Sequence, residues 1–125
     1  LKASPDSLAV ANNLAMLLVS YRTDAASLNR ARELAAKLEG SDNAAFLDTL
    51  GWVQYRKGEL DPALANLKKA LEKEPGSAIM HYHLGMAYHA KGDAARAKEH
   101  LQKAVAGDSR FVGVEEAKAT LAKLK

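Results

Sequence analysis

The amino-acid sequence predicts an all-α fold built from repeated helix pairs, and three observations carry that prediction. The 125 residues are rich in alanine and include only 3 prolines, a composition that favours helices because alanine loses no side-chain entropy on entering one. Part of the chain repeats itself with a fixed period, and helix-capping residues recur at the ends of the segments that this period defines. Because a short helix pair cannot cover its own apolar faces, such repeats are stable when they stack into a solenoid.

The repeat has a period of 34 residues, since Leu50-Gly51 returns as Leu84-Gly85. Further pairs keep the same register: Lys57 and Lys91, Gly58 and Gly92, Ala63 and Ala97, Leu67 and Leu101, Lys69 and Lys103, and Ala70 and Ala104. Chance does not place this many identical pairs in one register. The period therefore defines at least two structural units of the same kind.

Small residues at matching places predict where the helices of a unit cross. We expect Gly51 to face Ala63 in one unit and Gly85 to face Ala97 in the next, because a larger side chain there would cost about 1–3 kcal/mol through overpacking. The leucines expected to fill the space between crossings are Leu14, Leu50 and Leu84.

Capping residues divide the chain into seven predicted helices. Asp24, Asp61 and Asp93 are expected to be N-caps, and Pro62 directly after Asp61 suits the first position of a helix. The predicted helices cover residues 5–21, 26–39, 44–57, 61–73, 78–91, 94–106 and 111–124.

These features resemble the tetratricopeptide repeat (TPR) family, whose pattern is W-x2-L-G-x2-Y, then A-x3-F, then P. In one unit, Leu84-Gly85, Tyr88, Ala97 and Leu101 follow the pattern. Both units also depart from the pattern. The tryptophan position holds Leu47 or His81, and Ser109 stands where the third unit's proline is due. In the preceding unit, Gln54 stands where tyrosine is expected and Tyr55 follows one place later. The resemblance implies a right-handed α-solenoid of antiparallel helix pairs, with three TPR-like units and a C-terminal capping helix.

The chain is interpreted as a single domain, 1–125, and as the C-terminal part of a longer array. Its first unit is degenerate, with Leu14-Ala15 in the place of Leu-Gly, and its last helix has one apolar and one polar face, as a capping helix requires. The divisions are 8–43 for unit one, 44–77 for unit two, 78–111 for unit three and 112–125 for the capping helix.

In TPR proteins the first helix of each unit lines a concave face, and the resemblance implies that a protein or peptide partner binds there. Aromatic, arginine and methionine side chains make such a surface suitable for binding. The residues that correspond to groove positions are Asn12, Asn13, Met16, Asp48, Thr49, Trp52, Tyr55, Arg56, Tyr82, His83, Met86 and His89.

Two alternatives stay open for this surface. Trp52 and Tyr55 can instead pack between neighbouring first helices, since aromatic residues at helical spacing are often core. The repeats can also serve a structural role, assembling with copies of themselves as a homo-oligomer or with other parts of an array. A groove that grips a C-terminal carboxylate is disfavoured, because Thr49 and His83 replace the partners that Asn13 would need.

Other classes of function lack support in the sequence. With no cysteine, the chain offers neither disulfides nor thiolate chemistry. The net charge is +3, but the charges of both signs interleave, which disfavours nucleic-acid binding. The longest apolar run, 14–19, is too short to cross a membrane. No catalytic, cofactor or metal motif is present, and His81 and His83 point about 200° apart on a helix and cannot chelate together.

A narrower resemblance concerns residues 47–58, which read LDTLGWVQYRKG, together with Asn12 to Ala15 before them. These strings are similar to the C-terminal units of large bacterial TPR proteins that occur with exosortase and exopolysaccharide-export systems. That resemblance implies an extracytoplasmic scaffold of envelope or polysaccharide machinery, whereas a cytoplasmic location is expected if it does not hold.

Overall fold

The structure, a computed structural model, describes residues 5–107 and 110–124. Within those residues it contains seven α-helices and no strand, which confirms the predicted all-α class. The helices are α1 (Pro5–Tyr21), α2 (Ala25–Ala36), α3 (Ala44–Arg56), α4 (Leu60–Lys73), α5 (Ala78–Lys91), α6 (Ala94–Ala104) and α7 (Val114–Leu124).

Capping explains where several of these helices begin. The side chains of Asp24 and Asp93 accept hydrogen bonds from the backbone N–H groups of Ser27 and Arg96 at 3.0 and 3.1 Å, as predicted. The prediction for Asp61 is wrong, because α4 begins one residue earlier and its N-cap position is Glu59. The carboxylate of Glu59 makes no capping bond and instead holds the guanidinium of Arg32 through two hydrogen bonds of 2.9 and 3.1 Å.

The helices pack as three successive pairs, α1 with α2, α3 with α4 and α5 with α6, and α7 packs on α5 and α6. First helices also approach one another, α1 to α3 and α3 to α5. Among the described residues no Cα atom of α2 lies within 8 Å of α4, and none of α4 lies within 8 Å of α6. The array therefore curves toward α1, α3 and α5, which form its inner face.

The crossings in the second and third pairs have nearly the same geometry. A Cβ atom placed on Gly51 would lie 2.7 Å from Leu67 Cγ and 3.2 Å from the carbonyl oxygen of Ala63. On Gly85 it would lie 2.8 Å from Leu101 Cγ and 3.3 Å from the carbonyl oxygen of Ala97. The predicted contacts are confirmed, and the leucine one turn further along is the closer neighbour in each unit.

One pair of equivalent positions carries different chemistry in the two units. Gln54 is buried, and its side-chain oxygen accepts a hydrogen bond of 2.8 Å from the amide of Asn66. The corresponding residues 34 places later, Tyr88 and His100, stack their rings with centroids 5.6 Å apart. The departure of Gln54 from the repeat pattern is thus compensated across the helix pair, because the buried amide has a partner.

The first helix differs from the other two first helices in one respect. Leu50 and Leu84 are buried, as expected, but Leu14 is 38% exposed, so the prediction that it fills interior space is wrong. Leu50 lies where α3 meets the preceding pair, and no described helix precedes α1. The same side of α1 exposes Val10, at 64%.

A histidine pair joins α5 to α6 on the outer side of the third pair. Nε2 of His81 donates to the carbonyl oxygen of Pro75 at 2.9 Å, because a carbonyl can only accept. Nδ1 of His81 then accepts a hydrogen bond from Nδ1–H of His100 at 3.1 Å. Burial, and after it the neighbouring His81, holds the pKa of His100 below its ordinary value. Lys103 lowers this pKa further and Glu99 opposes the shift, while Lys68 and Glu72 of α4 line the same pocket.

The glycine crossings give a stability prediction. Replacing Gly51 with alanine should lower the free energy of unfolding by about 1–3 kcal/mol, because Leu67 and the backbone at Ala63 must both move. Gly76→Ala is the matched control, since a Cβ there meets nothing within 4 Å. Urea denaturation followed by circular dichroism measures both, and an equal effect of the two substitutions would contradict the close crossing.

The histidine pair gives a pH prediction. Folding lowers the pKa of His100, so the unfolded chain binds a proton at this residue more readily than the folded chain does. The stability that neutral His100 contributes is therefore present above the pKa of the unfolded chain, about 6.5, and is lost as the pH falls below it. His100→Gln should therefore flatten the decline of the thermal midpoint on acidification. His89→Gln, which changes an exposed histidine, should leave the decline as steep as in the native chain, and equal slopes for all three proteins would argue against the pair.

Candidate functional site

The middle of the inner face is an aromatic cluster contributed by α3 and α5. Trp52 stacks on the ring of Tyr55, with centroids 4.7 Å apart, and on the imidazole of His83, with centroids 4.1 Å apart. The ring of Tyr82 lies 5.2 Å from Trp52 in a tilted arrangement. Trp52 is only 4% exposed, so in this structure it joins neighbouring first helices, as the packing alternative expected.

A buried polar pair lies beside this cluster. Nδ1 of His83 donates to both carboxylate oxygens of Asp48, at 2.8 and 3.0 Å, and the two residues are 1% and 5% exposed. The bond connects α5 to α3, and Trp52 covers the imidazole ring. Removing one partner of such a buried pair costs about 1–3 kcal/mol, because the other is left without its hydrogen bond. These residues are therefore held in place by one another.

The segment that precedes α7 covers the far end of the inner face. The ring of Phe111 lies 5.2 Å from that of Tyr82, and Gly113, at a φ of 101°, approaches the Tyr82 ring so closely that a Cβ would lie 2.5 Å from it. Burial, and after it the carboxylate of Glu116, raises the pKa of the Tyr82 hydroxyl. The same two causes raise the pKa of Tyr55. What remains here is a pocket of about 180 Å³ under α7.

The near end of the inner face is open. It forms a cleft of about 660 Å³ between α1, α3, the start of α5 and Val112, which we call the N-terminal cleft. Its walls are lined by Asn12, Asn13, Met16, Leu17, Ser20, Tyr21, Ala45, Asp48, Thr49, Glu74, Ser77, Ile79, Met80 and Val112. Leu17 and Tyr21 are 56% and 66% exposed. Apolar side chains thus face solvent beside hydroxyl, amide and carboxylate groups.

One atom in the wall of the N-terminal cleft lacks a partner. The side-chain oxygen of Asn12 is buried and accepts no hydrogen bond from any described residue, while its amide group points toward the side-chain oxygen of Asn13 at 3.5 Å. A buried acceptor without a donor costs about 1–3 kcal/mol. The Asn12 oxygen is therefore a buried acceptor that no described group satisfies.

The twelve predicted groove residues divide into distinct environments. Asp48, Thr49, Trp52, Tyr82, His83 and Met86 are buried. Asn12, Met16, Tyr55 and Arg56 are half-buried, and Asn13 and His89 are exposed. One continuous open surface is therefore the wrong description for the buried six, because contacts between first helices and with the segment before α7 cover their side chains.

The structure brings only part of the predicted set to the N-terminal cleft. Asn12, Asn13, Met16, Asp48 and Thr49 line it, whereas Trp52, Arg56, Tyr82 and His83 line the small pocket under α7. Their role in binding a partner stays a prediction. Sequence reasoning missed Leu17 and Tyr21 in the cleft, although they follow Asn13 by one and two helical turns. It also missed Val112, because the sequence assigned that residue to the capping helix and gave no sign that it would reach the cleft.

Among the described residues, no three His, Asp or Glu side chains come together in a group that could hold a metal ion. His81 and His83 have separate partners on opposite sides of α5, His100 and Asp48 respectively. Among the helices that the structure describes, none is long and apolar enough to cross a bilayer.

Comparison with known proteins agrees with this architecture. Residues 49–110 match the family model described as tetratricopeptide repeat. Over 83 residues, 65% of the chain, the sequence is 35% identical to the TPR repeat-containing protein PA4667 of Pseudomonas aeruginosa. The aligned part is 13% of that protein's length, so the chain spans a small fraction of its relative.

Solved structures with a similar fold include SycD, the type III secretion translocator chaperone of Yersinia enterocolitica. The TM-score is 0.73 at 18% identity, covering 98% of this chain and 86% of SycD. SycD in complex with a peptide of the translocator YopD gives a TM-score of 0.71 at 18% identity, covering 97% and 94% of the two chains. At this identity the likeness concerns the fold. With the 34-residue period, the glycine crossings and the matching family model, the chain belongs to the tetratricopeptide repeat family.

Proposed function

We propose that this chain is a protein-interaction scaffold that binds a peptide segment or helix of a partner in the N-terminal cleft. The observation that carries the proposal is an open, largely apolar space of about 660 Å³ on the inner face. An exposed apolar surface with a few polar groups that can orient a ligand is typical of a binding site.

The arrangement of the inner face supports this choice of site. Behind the cleft, the bond between His83 and Asp48 and the ring of Trp52 hold α3 and α5 in a fixed relation. A wall held in this way loses little freedom when a segment binds, which favours affinity. The peptide complex of SycD shows that a chain of similar fold binds a segment of another protein.

A binding experiment with a cleft-filling variant tests the proposal. Peptides that bind the native chain are first selected from a random phage-displayed library. Their affinity for the Ala45→Arg variant should be about tenfold lower or more, and a tenfold loss corresponds to about 1.4 kcal/mol of binding free energy. Ala45 is exposed and lines the cleft, so arginine there fills the space without entering the core.

Ala65→Arg is the matched control for this experiment. Ala65 is exposed in the middle of α4 and lies outside the cleft. Circular dichroism and the thermal midpoint should show that both variants remain folded. Equal affinity of the native chain and Ala45→Arg for the selected peptides, or a failure to select any peptide, would contradict a site in the cleft.

A second candidate function is structural, and the exposed side of α1 favours it. Val10 and Leu14 face solvent and, with Leu34 of α2, line a shallow pocket of about 370 Å³. We infer that this side stacks on another helix pair of the same kind, as α3 stacks on α2. It would then join the units 8–43, 44–77 and 78–111 and the cap 112–125 to further repeats or to a second copy. The envelope or polysaccharide-export setting implied by the narrower resemblance belongs to this candidate and stays a prediction.

Self-association measures this second candidate. Val10→Glu combined with Leu14→Glu should convert a self-associating native chain to monomers in sedimentation equilibrium, because charges would enter the apolar contact. Ala65→Glu, again on the outer side, should leave the association unchanged. A native chain that stays monomeric at millimolar concentration would contradict stacking between copies.

A further inference from the structure

We propose that the N-terminal cleft selects a segment in which apolar side chains alternate with lysine or arginine. The inference rests on the proposed function, since it names the chemistry of the segment that the cleft binds. It follows from the groups that line the cleft, from their charges and from the position of Arg56 outside the cleft.

The charges in the cleft have one sign. Its lining residues include Asp48 and Glu74, and none of the described residues that line it is Lys, Arg or His. The chain as a whole carries a net charge of +3, so the cleft differs from the molecule around it. Arg56, the one cation among the predicted groove residues, lies instead in the pocket under α7 with Glu116.

The two carboxyl groups have different positions. Asp48 is buried and its oxygens already accept from His83, so its charge is fixed within the wall. Glu74 is exposed at the end of α4 and can approach a bound side chain. The structure gives Glu74 no ion pair with a described residue, whereas Asp93, Glu99 and Glu115 each contact a lysine or arginine. Glu74 is therefore available to a cation from a partner.

The carboxyl groups also favour a donor-rich ligand. Carboxylate oxygens accept only, and a lysine or arginine side chain donates only. Met16, Leu17, Ile79 and Val112 provide apolar contact for the alternate side chains and for the methylene stem of the cation. An acidic segment would instead place like charges together.

Three synthetic peptides test the inference directly. In each peptide, an apolar residue (Leu or Ala) alternates with one variable residue. The variable residue is Lys in the first peptide, Gln in the second and Glu in the third. Fluorescence anisotropy should rank their affinities for the native chain as Lys, then Gln, then Glu. Added salt should reduce the advantage of the Lys peptide, because part of it comes from solvent-exposed charge.

Two variants of the chain locate the effect. Glu74→Gln should weaken binding of the Lys peptide by about two- to fivefold and leave the Gln peptide unchanged, the range expected for one exposed charge pair. Glu99→Gln, which removes the same charge from the outer side of α6, should change neither. Equal affinity of the three peptides, a preference for the Glu peptide, or the same loss for both variants would overturn the inference.

The Ala45→Arg variant separates failure of this inference from failure of the proposed function. If the three peptides bind the native chain equally and Ala45→Arg weakens all of them, the cleft is the site and only its charge selectivity is wrong. If Ala45→Arg has no effect on peptides that do bind, the site lies elsewhere and both proposals are overturned.

Discussion

The absence of a side chain at Gly51 and Gly85 sets the distance between the two helices of the second and third pairs. At each glycine the opposing leucine, Leu67 or Leu101, occupies the space that a Cβ atom would need. Because the two crossings agree to about 0.1 Å in their closest approach, the two pairs are nearly copies of one unit. Stacking such copies gives a regular array, and regular stacking places the first helices side by side.

This spacing also determines what the inner face can offer. With α3 and α5 in contact, side chains that point from one toward the other must pack together or form hydrogen bonds. Trp52, His83 and Asp48 do both, and the segment before α7 adds Phe111 and Gly113 over Tyr82. The large aromatic rings are buried here, so they stabilise the packing and do not form an open surface. The inner face is consequently divided into a closed end and an open end, and the open end is the N-terminal cleft.

The repeat constrains positions more strongly than it constrains chemistry. Gln54 with Asn66 and Tyr88 with His100 occupy equivalent places, yet one pair is joined by a hydrogen bond and the other by ring stacking. Both solutions bridge the two helices of a unit, and each leaves its buried polar atoms with partners. A repeat can therefore change the residues at a site without changing the geometry on which its neighbours depend. Function follows from the particular side chains that each unit places on the inner face.

The sequence by itself determined the helices, their pairing and the close crossings. Period, composition and the glycine positions act over distances of one or two helices, so they can be read without knowledge of the rest of the chain. Local capping was predicted correctly at Asp24 and Asp93, where side chain and backbone lie within three residues. It failed at Asp61, because α4 begins at Leu60 and Glu59 is at its N-cap position, while the Glu59 side chain binds Arg32 from another helix.

The tertiary structure alone decided which groove residues are open. Helical spacing predicted that Trp52, Tyr82 and His83 line a groove, but a spacing cannot say whether another segment covers their side chains. The covering residues, Phe111 and Gly113, lie about 30 positions away from Tyr82 in the sequence and reach it only through the path of the chain around α6. For the same reason Leu14 appeared to be core, since its exposure depends on whether a helix stacks on α1. Burial is a property of the whole packing arrangement, and the residues that produce it are distant in sequence.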